Sequence, residues 1–559
     1  MSNSIKFDLY LHKKMYQGKL FEVEKEYKWI NIKEAARVAQ VSVATIRNWI
    51  KTGYLIAHKN KYIDKDSLQN FLENIAGKEK LVARANKLLK DNIDINLIEE
   101  KVQKIINQND FIDISFEYEK SLPESYKNKY GVFYTPIEIV RDMMKDIPIN
   151  ENTTFLDPCC GTGNFIMHAL EKGIKPENIY GYDIDKNAII ILKERVKRIF
   201  NVDLPNVKNE NFLNAINYLQ KNKKKFDCIF TNPPWGAKIS KEDKEHYSQK
   251  FQTGKSTDTS SVFLAASLLV LSDNGYLGFL VQEAFFNIAV YEDIRCKILK
   301  KKLLRLVDYD RAFSKLQTKA QAVILQNRKS NEYDLVICEN KNKKFVRFAH
   351  SFLKNPKYIF NFYTDNEDAK IIDHLFSIPH ITLKDRCKWG MGIVTGNNKK
   401  FCKSTPSKNY IPIFKGSDIH KNKIKEPTLF ISLKDFDIFQ QTAPKELYES
   451  KEKIIYRFIT PKLCFFYDNQ QRYILNSANF FIPFDIPISM IQLVDLLNSD
   501  IINWLFQKLF NTHKILRSDL ESLPIHTSYF YQYSIFSEKN YLNFLTIEKS
   551  SDGTYRIKK

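Results

Sequence analysis

Between residues 121 and 330 short apolar runs alternate with helical stretches, and this alternation constrains the fold more than any other feature. The runs are Thr154-Phe-Leu156, Ile179-Tyr-Gly-Tyr182, Phe226-Asp-Cys-Ile-Phe230, Gly275 to Val281 and Ala320 to Leu325. Strands kept apart by helices form a mostly parallel sheet, so the expected class is α/β. At 559 residues the chain has room for three or four domains of roughly 150 residues each. A hydrophobic content of 43% supplies their cores and argues against wholesale disorder. No apolar run reaches the roughly 20 residues of a membrane span; the nearest is Val262 to Val270. The first residues carry no signal-type stretch, so a cytoplasmic location and no membrane partner are expected. The eight cysteines are scattered without a CxxC pair, which indicates neither a disulfide framework nor a metal site.

Six segments are expected. Residues 1–27 form a polar tail. Residues 28–76 form a compact unit with helices at Ile32–Ala39 and Val43–Lys51, a small hairpin at Leu55–Ile63 and a third helix at Asp64–Ile75. In it Ser42 stands at an N-cap position and Gly53 at a helix stop. Residues 77–120 are a charged helical connector, with helices at Lys78–Asn92 and Leu97–Ile106. Residues 121–378 carry the strand–helix alternation and end in a hairpin at Leu335–Phe348. Residues 379–526 show no βαβ pattern and are expected as a separate mixed domain, and residues 527–559 as an unassigned tail.

Two stretches carry chemistry. In Phe155-Leu-Asp157-Pro158-Cys-Cys-Gly161-Thr-Gly163-Asn-Phe165 a strand runs through a glycine turn into a helix. Such a turn lets backbone approach a ligand, and the helix start offers free N–H groups. Asp183 ends the next strand 22 residues after Gly161, close to the roughly 20 expected of a ribose-binding acid. An ordinary tight turn with a solvated Asp is the alternative. In Phe226-Asp-Cys-Ile-Phe-Thr231-Asn232-Pro233-Pro234-Trp235 two prolines stiffen a turn after a strand. Asn232 can present an acceptor beside the Pro233 carbonyl, and together they can take both hydrogens of an exocyclic amine. Trp235 offers a face for a base. A plain Asn-Pro loop is the alternative here.

These residues resemble the S-adenosylmethionine-dependent amino methyltransferases, in particular the gamma-class adenine-N6 DNA methyltransferases of bacterial restriction–modification systems. The resemblance covers residues 120–330 well and 379–526 loosely. It implies a Rossmann-like methyltransferase core with S-adenosylmethionine as cofactor. Asp157, Pro158, Gly161 and Gly163 resemble the cofactor turn, and Tyr134, Thr135 and Pro136 the leading motif that meets its methionine end. Asp183 then corresponds to the ribose acid, with Ile184 beside the adenine ring. Asn211-Phe212 stands where the family has Asp-Phe, a departure that removes a charge. Asn232, Pro233 and Pro234 correspond to the amine-binding turn. Trp235 and Phe313 correspond to the stacking pair for a flipped base, although Phe313 reads equally as a core aromatic.

The unit at 28–76 resembles the winged helix-turn-helix of MerR and excisionase type, on Asn31 to Ala36, Thr45 to Trp49 and Gly53-Tyr-Leu55. That resemblance turns Ser42, Thr45, Arg47 and Asn48 toward DNA and gives Lys59 and Lys61 to phosphate, with Ala35, Ile46 and Trp49 in the core. A helical domain for protein contacts is the alternative. Residues 379–526 resemble a target-recognition domain, in which Lys399, Lys400, Lys415, His513 and Lys514 stand as phosphate contacts or as solvated charges. The net charge of 86 − 65 = +21 suits a polyanion but does not choose one. The function expected is methylation of adenine N6 in double-stranded DNA, with any restriction endonuclease a separate protein. Cytosine-N4 methylation is the enzymatic rival. A helix-turn-helix regulator with an inactive methylase fold is the rival of another class.

Overall fold

The computed structural model describes residues 29–39, 43–51, 55–58, 62–74, 95–107, 114–122, 135–235, 240–312, 319–340 and 342–558. The chain divides into two compact units, residues 1–103 with 121–129, and residues 104–120 with 130–559.

In the smaller unit β1 (Trp29–Asn31) leads into α1 (Ile32–Val38) and α2 (Val43–Lys51). A hairpin of β2 (Ala57–His58) and β3 (Tyr62–Asp64) follows, then α3 (Lys65–Asn74). β3 pairs with both other strands. Asn31 starts α1 because its side-chain oxygen accepts the N–H groups of Lys33 and Glu34, each at 3.0 Å. Ala35, Ile46 and Trp49 are buried with Ile63 and Phe71, as their spacing predicts. The expected Ser42 cap and Gly53 stop lie outside the described residues, as do the tail at 1–27 and the helix at Lys78–Asn92. Further along, α4 (Ile95–Asn107) covers the connector helix expected at Leu97–Ile106, and α5 (Ile114–Ser121) follows it.

The larger unit is built on a nine-stranded sheet. Its strands are β4 (Phe155–Asp157), β5 (Ile179–Asp183), β6 (Asn206–Asn209), β7 (Phe226–Thr231), β8 (Leu271–Gln282), β9 (Lys301–Asp308), β10 (Ala320–Lys329), β11 (Leu335–Asn340) and β12 (Lys344–Phe348). They lie in the order β12-β11-β9-β10-β8-β7-β4-β5-β6. Strands β6, β5, β4, β7 and β8 are mutually parallel, whereas β10 runs antiparallel to both β8 and β9. The chain steps outward from β4 to β6 and then returns to the far side of β4 with β7. That reversal opens a crevice at the carboxyl ends of β4 and β7, the place where open α/β sheets bind ligands. One face of the sheet is closed by the layer holding Phe212, Ile216, Val262 and Leu264. The other is closed by Val140, Met143, Phe165, Ile166 and Leu192. The hairpin expected at Leu335–Phe348 is β11–β12. Two strands were not expected. β6 is an edge strand with one apolar side chain, whereas β9 opens with two lysines and its apolar residues Leu303-Leu304 and Leu306-Val307 are split by Arg305.

Past the sheet, Cys387–Met391, Ala478–Pro483, Lys453–Arg457 and Phe465–Asp468 form a four-stranded antiparallel sheet in that spatial order. Helices Met490–Leu497 and Asp500–Phe510 pack on it. The same core takes Ile371, Ile372 and Leu375 from the helix Asn366–Ser377, so it begins before residue 379. Residues 527–559 are not a loose tail. They form helices Tyr529–Gln532 and Glu538–Phe544 and a hairpin of Ile547–Lys549 with Tyr555–Ile557. Tyr529, Tyr541, Leu545 and Ile547 are buried in that core, which is where the segment's many aromatics go.

This sheet contains a fully buried ion pair. Lys453 Nζ lies 2.7 Å from Asp468, both side chains are 0% exposed, and Arg472 reaches the second oxygen at 2.7 Å. Removing one partner leaves an unpaired buried charge. Asp468→Asn is therefore expected to cost about 3–5 kcal/mol, and Lys453→Met with Asp468→Leu together much less. Urea denaturation of the three chains checks this.

Candidate active site in the β4–β7 crevice

The crevice is organised by two carboxylates. Asp157, the last residue of β4, is buried and accepts the Thr231 hydroxyl at 2.6 Å and the Cys159 N–H at 3.1 Å. Thr231 is the last residue of β7 and immediately precedes Asn232. This hydrogen bond therefore joins the ends of two adjacent parallel strands and sets the two turns side by side. Asp183, the last residue of β5, accepts the N–H of Gly161 at 2.8 Å and that of Asp185 at 2.8 Å. The 22-residue spacing read from the sequence is thus a direct contact. Burial pushes the Asp157 carboxyl up to about 7 and the Asp183 carboxyl up to about 6, against their hydrogen bonds; the charge of Asp183 adds to the rise at Asp157, and that of Asp185 to the rise at Asp183.

The glycine turn is held in one shape. Gly161 and Gly163 both take positive φ, +50° and +88°. A Cβ at Gly163 would run into the Leu192 side chain on α8 (Lys186–Phe200). The turn opens α7 (Asn164–Glu171), as the sequence predicts. Asn164 donates to the carbonyl of Thr135 at 2.7 Å, tying the turn to the segment before α6 (Ile137–Met144). Arg195 of α8 donates to the Thr162 carbonyl at 2.5 Å and to the Asn164 oxygen at 2.9 Å. Thr231 and Asn164 sit beside the motif residues and could have been read from them. Arg195 lies 31 residues from Asn164, with no local signal.

Most of the expected cofactor-side residues border this crevice. Asp157, Pro158, Gly161, Gly163 and Asp183 line the β4 and β5 ends, and Thr135 and Pro136 are tied to them through Asn164. Ile184 follows Asp183 and is 55% exposed, an apolar surface open to a ring. Asn211 and Phe212 also serve the fold. Asn211 caps α9 (Phe212–Lys221), its side-chain oxygen accepting the Leu213 N–H at 3.0 Å. Phe212 is 1% exposed, packed 5.8 Å from Tyr182, so its ring serves the core. Pro233 is buried, and Asn232, Pro234 and Trp235 are half-buried. The Trp235 indole donates to the Leu280 carbonyl at 3.3 Å, which pins the ring against β8. Tyr134 and Phe313 lie outside the described residues.

A helix-turn-helix domain model matches residues 29–75, an N-6 DNA methylase model residues 110–372, and a TaqI-like C-terminal specificity domain model residues 411–525. The chain is 45% identical over 408 residues to the type II methyltransferase M.VspI of Vibrio sp. (strain 343), a match covering 72% of this chain and 99% of that one. The chain belongs to the N-6 DNA methylase family. With the family come S-adenosylmethionine as methyl donor and adenine in duplex DNA as substrate. The modification methylase CviBIII of Paramecium bursaria Chlorella virus NC1A is 26% identical over 226 residues, 40% of this chain and 56% of its own. Among solved structures, the cryo-EM structure of DrdV with DNA aligns at a TM-score of 0.49 and 11% identity, over 84% of this chain and 63% of that one.

In this N-6 DNA methylase Arg47 stands exposed on α2. Ser42, Lys59 and Lys61 lie outside the described residues, as do the side chains of Thr45 and Asn48. Lys399, Lys400, His513 and Lys514 are exposed. Lys415 is half-buried, and its backbone N–H donates to Asp418 at 2.8 Å. No helix among the described residues is long and apolar enough to cross a membrane.

The geometry at Gly163 makes a direct prediction. Alanine there must hold a left-handed backbone, at roughly 1–2 kcal/mol, and displace Leu192. Gly163→Ala is expected to lower the melting temperature and weaken S-adenosylmethionine binding by more than tenfold. Differential scanning fluorimetry with and without the donor checks both.

Proposed function

We propose that this chain is the modification enzyme of a restriction–modification system and that it methylates adenine N6 with Asn232 and Pro233 at the reacting amine. The observation carrying this reading is the Thr231–Asp157 hydrogen bond, which sets the Asn-Pro-Pro-Trp turn beside the glycine turn. The residues fit the donor. The glycine turn packs so closely on Leu192 that a Cβ at Gly163 would displace it, Asp183 stands at the β5 end for the ribose hydroxyls, and Ile184 is open beside it. Asp157 stands for the cationic methionine end. S-adenosylmethionine supplies an electrophilic methyl group on a sulfonium.

The chain's own contribution is positioning and charge. An adenine amine is a poor nucleophile because its lone pair is shared with the ring. The Asn232 side-chain oxygen and the Pro233 carbonyl accept its two N–H bonds, favour a pyramidal nitrogen and draw off positive charge as it develops. Proline cannot donate, so the turn presents carbonyls at this point. Trp235, pinned by Leu280, holds the flipped base by stacking. Alignment supplies much of the remaining acceleration. Arg47, Lys399, His513 and Lys514 are assigned to duplex DNA, and the cognate endonuclease to a separate protein. The enzyme is assigned to the cytoplasm, a reading that its DNA substrate supports.

Methyl transfer from labelled donor to varied genomic duplex DNA, with nucleosides identified by mass spectrometry, tests this. N6-methyladenine is expected, reduced at least about a hundredfold in Asn232→Ala. N4-methylcytosine as product would overturn the base assignment.

The raised carboxyls give a pH dependence. A folded-state pKa of about 7 against 3.8 means that ionising Asp157 costs the free protein stability as pH rises toward and through 7. A cationic ligand favours the ionised form. Donor affinity is therefore expected to fall as pH drops below about 7, and further through the Asp183 range near 6. In Asp157→Asn the upper step should be missing. Isothermal titration from pH 5.5 to 8.5 checks it.

A further inference from the structure

Away from the cofactor turn the larger unit holds a cavity of about 410 Å3, within the range of small-molecule sites. It opens beside the carboxyl end of β8, at Glu283, and the start of β10, at Lys319 and Gln321. This is the sheet edge that also carries Asp157 and Asn232. None of the cofactor-side residues lines it. Part of its wall is aromatic, with Phe286 5.5 Å from Phe360 and 5.9 Å from Phe362. The exposed His513 and Lys514 also line it.

Two buried amides in the wall are only half used. Gln321, 4% exposed, donates through Nε2 to Asp308 at 3.4 Å, which leaves its oxygen as an acceptor. Asn361, 3% exposed, accepts through Oδ1 from Arg347 at 2.8 Å and from Asn355 at 2.7 Å, which leaves its NH2 as a donor. The partners fix both amide orientations. Among the described residues neither Gln321 Oε1 nor Asn361 Nδ2 has a hydrogen-bond partner. Buried polar atoms are rarely left so unless something else completes them. The Glu283 carboxylate adds a second acceptor.

An acceptor and a donor of fixed orientation, aromatic walls and cations match a flat heterocycle with mixed hydrogen-bonding groups joined to a phosphate. Flipping an adenine out of a duplex leaves its partner base unpaired, with its Watson–Crick edge exposed. We infer that the cavity binds an unpaired base of the DNA, Gln321 accepting from its edge and Asn361 donating to it, with the adjoining phosphate on His513 and Lys514. The inference rests on DNA being the substrate, but not on the roles of Asn232 or Trp235.

The test uses full-length protein and a duplex oligonucleotide holding the site mapped by methylation sequencing. A tetrahydrofuran abasic unit replaces each nucleotide in turn, and affinity is read by fluorescence anisotropy for wild type and Gln321→Leu. At one position other than the methylated adenine, loss of the base is expected to weaken wild type at least tenfold and Gln321→Leu less than threefold. Equal losses in both proteins at every position would overturn the inference, while methylation of the intact duplex would leave the enzymatic reading standing. Glu283→Gln carries the same comparison if circular dichroism shows Gln321→Leu unfolded.

Discussion

The Thr231 hydroxyl meets the Asp157 carboxylate across two adjacent parallel strands, and the functional geometry depends on that contact. A hydrogen bond to an ionised acceptor is worth about 1.5–3 kcal/mol and to a neutral one about 0.5–1.5, so the contact is strongest above about pH 7, where Asp157 is ionised. Its larger effect is on register. β4 and β7 come together from segments about 70 residues apart, and each ends in a turn whose direction matters to a fraction of an ångström. With the two strand ends tied, the glycine turn and the Asn-Pro-Pro-Trp turn cannot drift independently. Prolines stiffen one turn. Positive-φ glycines, Arg195 and Asn164 fix the other.

Such fixing is expensive. Two carboxylates lie near one another in a poorly hydrated crevice, and both are harder to ionise than in water. A protein that only had to fold would place apolar side chains there. The retained cost has a use when a ligand carries positive charge at one end and hydroxyls further along, because it completes both acids at once. The half-used amides of Gln321 and Asn361 follow the same logic on the other part of the sheet edge. Polar groups left short of partners mark where binding free energy is to be recovered.

Much of this was legible in the residues. Asp157, Gly161, Gly163, Asp183 and Asn232 could be read because strand-end motifs are local: the residues that gather at one strand end are neighbours in the chain. The helix-turn-helix core was legible for the same reason, Ala35, Ile46 and Trp49 lying on periodic faces. What escaped is non-local or weakly patterned. Arg195 reaches the turn from another helix. β6, Asn-Val-Lys-Asn, is an edge strand without a hydrophobic run. Residues 527–559 carry aromatics whose partners, such as Ile371 and Leu375, lie some 160 residues away. Asn211-Phe212 has a structural duty that the family pattern does not announce: a helix cap and a core ring.

The central claim is that the two turns deliver donor and amine to one point. A structure of the full chain with duplex DNA and a non-reactive analogue of the methyl donor tests it most directly. The account predicts an extrahelical adenine stacked on Trp235, its N6 within hydrogen-bonding distance of Asn232 Oδ1 and the Pro233 oxygen, and the analogue's ribose on Asp183. An adenine held elsewhere, or an analogue bound away from the glycine turn, would contradict it.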